Sequence, residues 1–184
     1  MEAIEILVQE HESILKVIEI TQTILSDNDH SKVNLEHVEQ IIDFIRNFAD
    51  KYHHLKEEDM LFVEMVKQGM SNDVGPIAVM LADHDAGRKY IKQALEAVEK
   101  FKTGDYSAFA LIQRNLLNYC ELLTGHIFKE NNILYPMAGR IVPETILQSM
   151  SADFDKANHT TRDNEYFDKY LKLVDELEKI YLNK

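Results

Sequence analysis

Residues 51–59 read KYHHLKEED, in which two adjacent histidines are followed by two adjacent glutamates. The spacing H-x-x-x-E therefore occurs twice, as His53 with Glu57 and as His54 with Glu58. Residues four apart on an α-helix lie on one face, about one turn from each other. Each pair would present an imidazole and a carboxylate, two common metal ligands, to the same point. Helical geometry does not choose between the pairs, because both lie beside the apolar stripe of their helix.

The sequence around this stretch indicates long helices. The chain has 184 residues but only 6 Gly and 3 Pro, the two residue types that break helices most strongly. Apolar residues recur at helical spacing over about 3–25, 34–67, 76–102 and 106–138, with short polar turns between these segments. Four helices with short connections predict an all-α fold, an antiparallel up-down-up-down four-helix bundle. No internal repeat is convincing, and no strand-like alternation occurs.

The remaining residues predict a helical extension. Residues 141–184 contain a short helical pattern near 143–150 and a longer one near 161–182. We expect residues 1–140 to form the bundle and residues 141–184 to pack on it. The apolar positions of the last helix would either cap the bundle or form the interface of a homodimer, and the sequence leaves the oligomeric state open.

Charge and cysteine content exclude several classes of protein. The formal net charge is -12 and the isoelectric point is near 5.1, so no basic face is expected for nucleic acid or for an anionic membrane. The sequence has no run of about 18 apolar residues for a membrane-spanning helix. Cys120 is the only cysteine, which excludes an internal disulfide and a thiolate metal site and favours a reducing, cytoplasmic location.

Three histidines lie where core residues are expected. His11, His84 and His126 fall on the apolar stripes of the first, third and fourth helices. One such histidine is usually a core residue that is hydrogen-bonded to a neighbour. Three of them, on three helices, would each be costly to bury unpaired. One metal site would accommodate all three.

The fourth helix repeats the spacing of the opening stretch. Residues 125–131 read GHIFKEN, so His126 and Glu130 are four apart. One such pair is weak evidence, because surface helices often carry it. Two pairs on different helices, together with inward histidines, favour a site of imidazole and carboxylate ligands, which suits iron or manganese.

The sequence resembles the hemerythrin-like domains, also called HHE cation-binding domains, over about residues 3–140. It is most similar to the di-iron proteins of this family that repair damaged iron–sulfur centres, and the resemblance rests on five segments in order. The segments are KEEDMLF at 56–62, KQGM at 67–70, GPIAVM at 75–80, DHD at 83–85 and HIFKENNILYPMA at 126–138.

The resemblance implies a ligand set and a cofactor. In this family the first glutamate of an H-x-x-x-E-E run coordinates metal, which selects His53 and Glu57 and leaves His54 and Glu58 as supporting or reserve ligands. The implied metal ligands are His11, His53, Glu57, His84, His126 and Glu130. The implied cofactor is a pair of non-haem iron ions with oxo and carboxylate bridges, for which manganese or zinc could substitute in a purified sample. The implied partner is a small diatomic ligand or peroxide.

The chain departs from the oxygen-carrying hemerythrins at two points. Those proteins place two histidines four apart on the third helix, whereas Met80 and Arg88 occupy these positions around His84. Their fourth helix carries H-x-x-x-x-D, whereas this chain has His126 and Glu130. With four histidines and two glutamates, we expect water or further side chains to complete the coordination. We also expect that the protein is not a dedicated oxygen carrier.

Four other side chains compete for the open coordination positions, and the sequence does not decide among them. His30 and His37 lie at the entrance of the second helix, and Tyr52 adjoins His53. His159 lies outside the four main helices. For each, a solvated or packed role is the more common one.

Three functions from different classes fit these features. The first is a di-iron protein that handles oxygen, nitric oxide or peroxide in oxidative or nitrosative stress, or repairs iron centres; whether it is an enzyme stays open. The second is a protein that stores or senses iron or oxygen without turnover. The third is a metal-free helical interaction module. Metal content separates the third from the others, and consumption of peroxide or nitric oxide separates the first from the second.

Overall fold

A computed structural model describes residues 3–27, 29–161 and 164–183, without the side chains of residues 155–166. The helical segments of this described part join into six helices, and it contains no strand. The first four helices form the antiparallel bundle that the sequence predicts. None of the helices found in these ranges is long and apolar enough to cross a membrane.

Two helices of the bundle are regular α-helices. Helix α1 spans Ala3–Ile24 and helix α3 spans Pro76–Lys102. Gly75 precedes α3 with φ at +83°, a conformation open to glycine, and Pro76 occupies the first turn, where a backbone N–H is not needed. This glycine and proline fix where α3 begins, and therefore where His84 lies along it.

The second helix, α2, covers residues 35–67 and changes its hydrogen-bonding pattern along its length. Its α-helical parts are Leu35–Phe44 and Phe62–Lys67, and its π-helical parts are Ile45–His54 and Glu57–Leu61. Asn34 caps its start by accepting a hydrogen bond from the N–H of Glu36. π-Helical turns close i→i+5 hydrogen bonds, fit more residues into each turn than an α-helix, and occur frequently at functional sites.

The fourth helix, α4, covers residues 109–141 and contains a similar interruption. It follows a short 3-10 turn, Tyr106–Ala108. Its α-helical parts are Phe109–Lys129 and Tyr135–Ile141, and the π-helical turn Glu130–Leu134 lies between them. The short π-helical turns of α2 and α4 therefore both begin at a glutamate, Glu57 in one and Glu130 in the other.

The C-terminal extension consists of two helices that pack along α1. Helix α5 spans Glu144–Thr161, which makes it longer than the short helix expected there, and helix α6 spans Asn164–Tyr181. Tyr170 and Leu177 of α6 are buried in the core of the bundle. The last helix therefore caps the bundle, and the homodimer stays a prediction.

The apolar core is divided into two clusters by a polar layer. The larger cluster includes Ile14, Phe44, Phe48, Ile91, Ile112 and Tyr170, and the smaller cluster includes Leu7, Leu61, Met80, Leu134 and Phe154. On α1, His11 lies between Leu7 of the smaller cluster and Ile14 of the larger one. The buried histidines of α2, α3 and α4, with Glu57 and Glu130, converge with His11 at this level of the bundle.

Candidate metal centre

Seven buried residues from four helices converge in the polar layer. They form two groups of potential metal ligands, and within each group one ligand atom of every residue lies within 4.8 Å of the others. The two-histidine group is His11, His53, Glu57 and Glu130, and the three-histidine group is His54, Glu57, His84 and His126. All six residues that the sequence predicts as ligands lie in these groups, and that they bind metal stays a prediction.

The imidazoles of His84 and His126 have the spacing of ligands to one ion. Their Nε2 atoms are 3.0 Å apart. Two ligand atoms that bind an ion at right angles, each about 2.1 Å from it, are themselves about 3 Å apart. This pair of rings therefore suits a shared ion without rearrangement.

Glu57 lies between the two groups. Its Oε2 is 3.6 Å from Nε2 of His53 and 3.5 Å from Nε2 of His84. Its Oε1 accepts a hydrogen bond from the Tyr135 hydroxyl at 2.6 Å. The Oε2 atom is buried without a hydrogen-bond partner among the described residues. A buried carboxylate oxygen without a partner is costly, and a cation held between the groups would satisfy it.

Glu130 takes the equivalent position on α4. Its Oε2 is 3.3 Å from Nε2 of His11, and its Oε1 is 3.1 Å from Nε2 of His126. Both oxygens of Glu130, like Nε2 of His53, are buried and have no hydrogen-bond partner in the described part of the chain. Imidazole nitrogen and carboxylate oxygen together suit iron, manganese or zinc. The residues present therefore fit the metal cofactor that the sequence implies.

Each of these four histidine rings is held from its outer side by an oxygen atom. The Nδ1 atoms of His11, His53, His84 and His126 lie 2.9, 2.8, 2.6 and 3.4 Å from oxygens of Asn131, Glu10, Glu58 and Asp83, respectively. Because an oxygen acceptor requires an N–H donor, Nδ1 carries the proton and Nε2 presents its lone pair to the centre. Partners of this kind fix the tautomer and the direction of metal-binding imidazoles.

His54 adds a fifth imidazole to the centre, whereas the sequence predicts four. It is buried, and its ring stacks on that of His84 with the centroids 3.8 Å apart. Adjacent residues of an α-helix are about 100° apart and would not both face the core. The π-helical segment Ile45–His54 places its residues closer together around the axis, so His53 and His54 both face inward. The expectation that the protein is not an oxygen carrier rests on a count of four histidines at the centre. The fifth imidazole removes that support.

Glu58 joins neither group. Its Oε1 accepts hydrogen bonds from Nδ1 of His84 and from Nη2 of Arg88, both at 2.6 Å. Glu58 therefore orients His84 rather than facing the centre. The prediction that Glu57, and not Glu58, contacts metal agrees with this geometry and stays a prediction for the metal-loaded protein.

Burial shifts the pKa values of the candidate ligands. Burial and the neighbouring Glu130 hold the pKa of Glu57 well above its usual range. Burial lowers the pKa of His54 to about 4 and that of His53 well below its usual range. These two imidazoles are therefore neutral at physiological pH, as metal ligands must be. The carboxyl groups of Glu57 and Glu130 do not readily ionise together unless a cation lies between them.

A buried ion pair supports the two-histidine group. Glu10 accepts a hydrogen bond from Nδ1 of His53 on one oxygen and pairs with Lys56 on the other. Lys56 is only 1% exposed, and its ammonium lies 3.5 Å from the centre of the Tyr52 ring and 5.5 Å from that of Phe154 on α5. Burial raises the pKa of Glu10 to about 7, although the Lys56 charge acts in the opposite direction.

The three-histidine group has the same arrangement in a more exposed setting. Asp83 lies 3.4 Å from Nδ1 of His126 and accepts a hydrogen bond from Lys129 at 2.5 Å. The Lys129 side chain is 36% exposed and that of Asp83 is 17% exposed. In both halves of the centre, a carboxylate therefore lies between a histidine and a lysine.

A short repeat in the sequence underlies the two halves. HHLKEEDMLF at 53–62 aligns with HIFKENNILY at 126–135, and QEHE at 9–12 aligns with ADHD at 82–85. The expectation that no repeat is convincing is therefore wrong for these stretches. The repeat is also the signal that finds the supporting residues that the ligand prediction misses. They are Glu10, Lys56, Asp83, Lys129 and Asn131.

Tyr135 distinguishes the two halves at the centre itself. Its hydroxyl donates to Glu57 and lies 3.4 Å from Nε2 of His11, on whose ring it stacks with the centroids 5.6 Å apart. The equivalent residue of the repeat is Phe62, which has no hydroxyl and lies 6.2 Å from the His84 ring. Tyr135 therefore adds a phenol oxygen to the group that has fewer imidazoles.

The other candidates from the sequence lie away from the centre. His30 is exposed and stacks on an aromatic ring, and Nδ1 of His37 lies 2.6 Å from the hydroxyl of Tyr181. Tyr52 packs beneath the buried lysine and is in neither ligand group. His159 lies outside the described side chains.

Comparison with curated proteins gives relatives that include iron-sulfur cluster repair proteins and uncharacterized proteins. An iron-sulfur cluster repair protein YtfE of Yersinia pseudotuberculosis serotype IB (strain PB1/+) is 35% identical over 95 residues, which are 48% of this chain and 41% of the relative. The YtfE of Yersinia pestis (strain Pestoides F) is 34% identical over 95 residues, with the same shares. The uncharacterized protein Rv1995 of Mycobacterium tuberculosis (strain ATCC 25618 / H37Rv) is 22% identical over 135 residues, which are 73% of this chain and 52% of the relative. The chain spans about half the length of these relatives, or less.

Comparison with protein families agrees with the geometry of the centre. The family model described as the hemerythrin HHE cation binding domain matches residues 2–138, which include all seven residues of the two ligand groups and most of the chain. The chain therefore belongs to the hemerythrin HHE cation-binding domain family.

Proposed function

We propose that the protein binds two non-haem iron ions and uses them to handle oxygen, nitric oxide or peroxide, in stress response or in the repair of iron centres. The observation that supports this proposal is the pair of ligand groups that share Glu57 and converge with unpartnered buried atoms. The YtfE relatives, which are named as iron-sulfur cluster repair proteins, support the repair role. The iron ions would supply electron exchange with the small ligand.

The side chains of the centre would hold the two ions close together. Glu57 and Glu130 each lie close to imidazoles of both groups, so both carboxylates would help to hold the two ions. The oxygens that hold each Nδ1 keep the rings aimed at the centre, which limits the rearrangement needed when a ligand binds. Apolar clusters above and below the layer restrict the entry of water.

The setting of the protein is part of the same proposal. We place it in the cytoplasm, which its one cysteine, the free thiol Cys120, favours. Burial raises the pKa of this thiol to about 12, so Cys120 is not a reactive thiolate beside the metal centre. The proposed chemistry therefore does not involve a cysteine thiolate.

Metal analysis of the purified protein tests the proposal first. The protein would be expressed with added iron, purified without oxygen, and assayed for iron and for a visible spectrum. We expect about two iron ions per chain. The metal-poor control is the double variant His11→Ala/His84→Ala, which removes one ligand from each group. A wild-type protein that holds no more metal than this control would overturn the proposal and favour a metal-free interaction module.

A second candidate function is storage or sensing of oxygen or iron without turnover. The five imidazoles and two carboxylates favour it, because seven protein ligands leave few coordination positions for a substrate. Stopped-flow mixing of the reduced, iron-loaded protein with oxygen separates the candidates. A spectrum that reverses under vacuum over repeated cycles supports the second, whereas irreversible oxidation together with consumption of nitric oxide or peroxide supports the first.

A further inference from the structure

A cavity of about 190 Å³ opens between α2, α3 and α4 beside the three-histidine group. Buried His54, His84, Gly87 and Tyr119 line its inner part. Its lining is mostly apolar, and it is smaller than the 300–1,000 Å³ typical of sites for drug-sized ligands. The cavity therefore suits a small molecule or ion that lies directly against the metal centre.

The mouth of the cavity carries an excess of positive charge. Arg46 and Lys92 line it and are exposed, and neither has an ion pair among the described residues. The third cation of the lining, Arg88, pairs with Asp50 at 2.8 Å and with Glu58 at 2.6 Å. The other carboxylate of the lining, Asp83, pairs with Lys129. In a chain of net charge -12, two unpaired cations at one opening make a local field that attracts anions.

One of the residues that line the cavity, Tyr119, carries a hydrogen-bond donor without a partner among the described residues. The Tyr119 hydroxyl is buried and has no hydrogen-bond partner in the described part of the chain. The Tyr119 ring packs against Gly87, where even a methyl group would come within 3.3 Å of it. A buried hydroxyl without an acceptor is unfavourable, and an acceptor placed in the cavity would remove this cost.

We propose that this cavity binds a small monovalent anion beside His54 and His84, with Arg46 and Lys92 attracting it and the Tyr119 hydroxyl donating a hydrogen bond to it. Of the ligands that fit the volume, an anion alone uses both the cations and the donor. The proposal deepens the proposed function, on which it rests, because it names a class of ligand and a side of approach. The binding step itself needs only the protein.

The test is an NMR titration of the full chain with azide and with nitrite at constant ionic strength. It is run on chelator-treated protein, in which azide has no iron to coordinate, and again on zinc-loaded protein, which stays diamagnetic. We expect saturable shifts of the Gly87 and Tyr119 amides in the metal-free form. Absence of saturable shifts at these amides in that form would overturn the proposal.

Three variants assign the binding to named groups. Tyr119→Phe should weaken binding at least about 5-fold by loss of one hydrogen bond. The double variant Arg46→Ala/Lys92→Ala should weaken it about 10-fold and reduce its salt dependence. The matched control Lys100→Ala removes an exposed cation of α3 away from the cavity and should change nothing. Equal affinity in all four proteins, or binding of neutral xenon but of neither anion, would overturn the assignment.

These results stay separable from the proposed function. Iron content per chain tests the metal centre, and anion binding in the metal-free form tests the cavity. A protein that binds iron but no anion leaves the proposed function standing and removes the cavity proposal. A protein that binds azide at Gly87 and Tyr119 but holds no iron leaves the cavity proposal standing and removes the proposed function.

Discussion

The two halves of the metal centre carry one sequence pattern in two different surroundings. In the two-histidine half, the supporting pair Glu10 and Lys56 is buried beneath α5, and Lys56 is 1% exposed. In the three-histidine half, the equivalent Lys129 beside Asp83 is 36% exposed, and a cavity reaches the rings. The pattern of ligands is a property of each helix pair, whereas its exposure depends on what packs over it. The C-terminal extension thus makes two similar halves chemically unequal.

Removing a carboxylate that both halves share should have the largest effect. We expect Glu57→Gln to lower iron content from about two ions per chain to less than about one, because Glu57 faces both groups. Glu58→Gln is the matched control, since it alters only the partner of His84. Iron per chain, measured after gel filtration, checks the prediction. A greater loss of iron in Glu58→Gln than in Glu57→Gln would show that the wrong glutamate is assigned.

Substituting His54 should make the halves more alike. His54→Ile copies Ile127, the equivalent residue of the repeat, and leaves two imidazoles in each group. We expect the metal affinity of one of the two positions to fall by about 100-fold. Loss of a residue that only hydrogen-bonds to a ligand already lowers metal affinity by about 10- to 100-fold, and loss of a ligand should cost no less. Chelator competition measures the two affinities, and His37→Ile is a control that removes an imidazole away from the centre. Two unchanged affinities would mean that His54 packs beside the centre without binding metal.

The supporting lysines should differ in their contribution to stability. We expect Lys56→Met to lower the free energy of unfolding of the metal-free protein by about 3 kcal/mol, because it leaves the buried Glu10 without its cation. Lys129→Met should cost at most about 1 kcal/mol, because its ion pair is partly solvated. Urea unfolding of both variants checks the difference. Equal losses would show that α5 does not set the energetic contrast between the halves.

The smallest expected effect concerns the phenol of Tyr135. Tyr135→Phe removes the hydrogen bond to Glu57 and gives the two-histidine half the ring of Phe62. We expect a loss of about 1 kcal/mol in stability and a lower reduction potential of the loaded centre, since Glu57 then donates more strongly to the metal. Redox titration follows the change, with Phe62→Leu as a control for ring packing. A potential that stays the same would limit Tyr135 to a packing role.

The sequence predicts the four bundle helices and the inward His11, His84 and His126 from the period of an α-helix. The choice of His53 and Glu57 on the second helix comes instead from the resemblance to the family. His54 could not be found this way, since a regular helix turns adjacent residues to different faces and no residue type marks the π-helical segment that brings both inward. The length of α5 is also missed, because its apolar pattern is weak beyond residue 150. The supporting residues were visible in the repeat, but only when its two copies are aligned.

The exposure of the two halves could not be predicted from the sequence. Lys56 and Lys129 occupy the same place in the repeat, and local pattern gives both the same expected surroundings. Lys56 is buried because Tyr52 and Phe154 cover its ammonium. Contacts of this kind join distant parts of the chain, and helical periodicity carries no information about them.

Because the core is divided into two apolar clusters, bound metal would couple the unfolding of the two ends of the bundle. All four helices of the bundle cross the polar layer, and without an ion the layer contains unpartnered acceptors that contribute little cohesion. Each end of the bundle then has its own core and opens as a separate unit. Amide hydrogen exchange should show two levels of protection in chelator-treated protein, with the lower level around the smaller cluster. Metal loading should merge them into one, so that iron supply would determine whether the bundle unfolds in one step or in two.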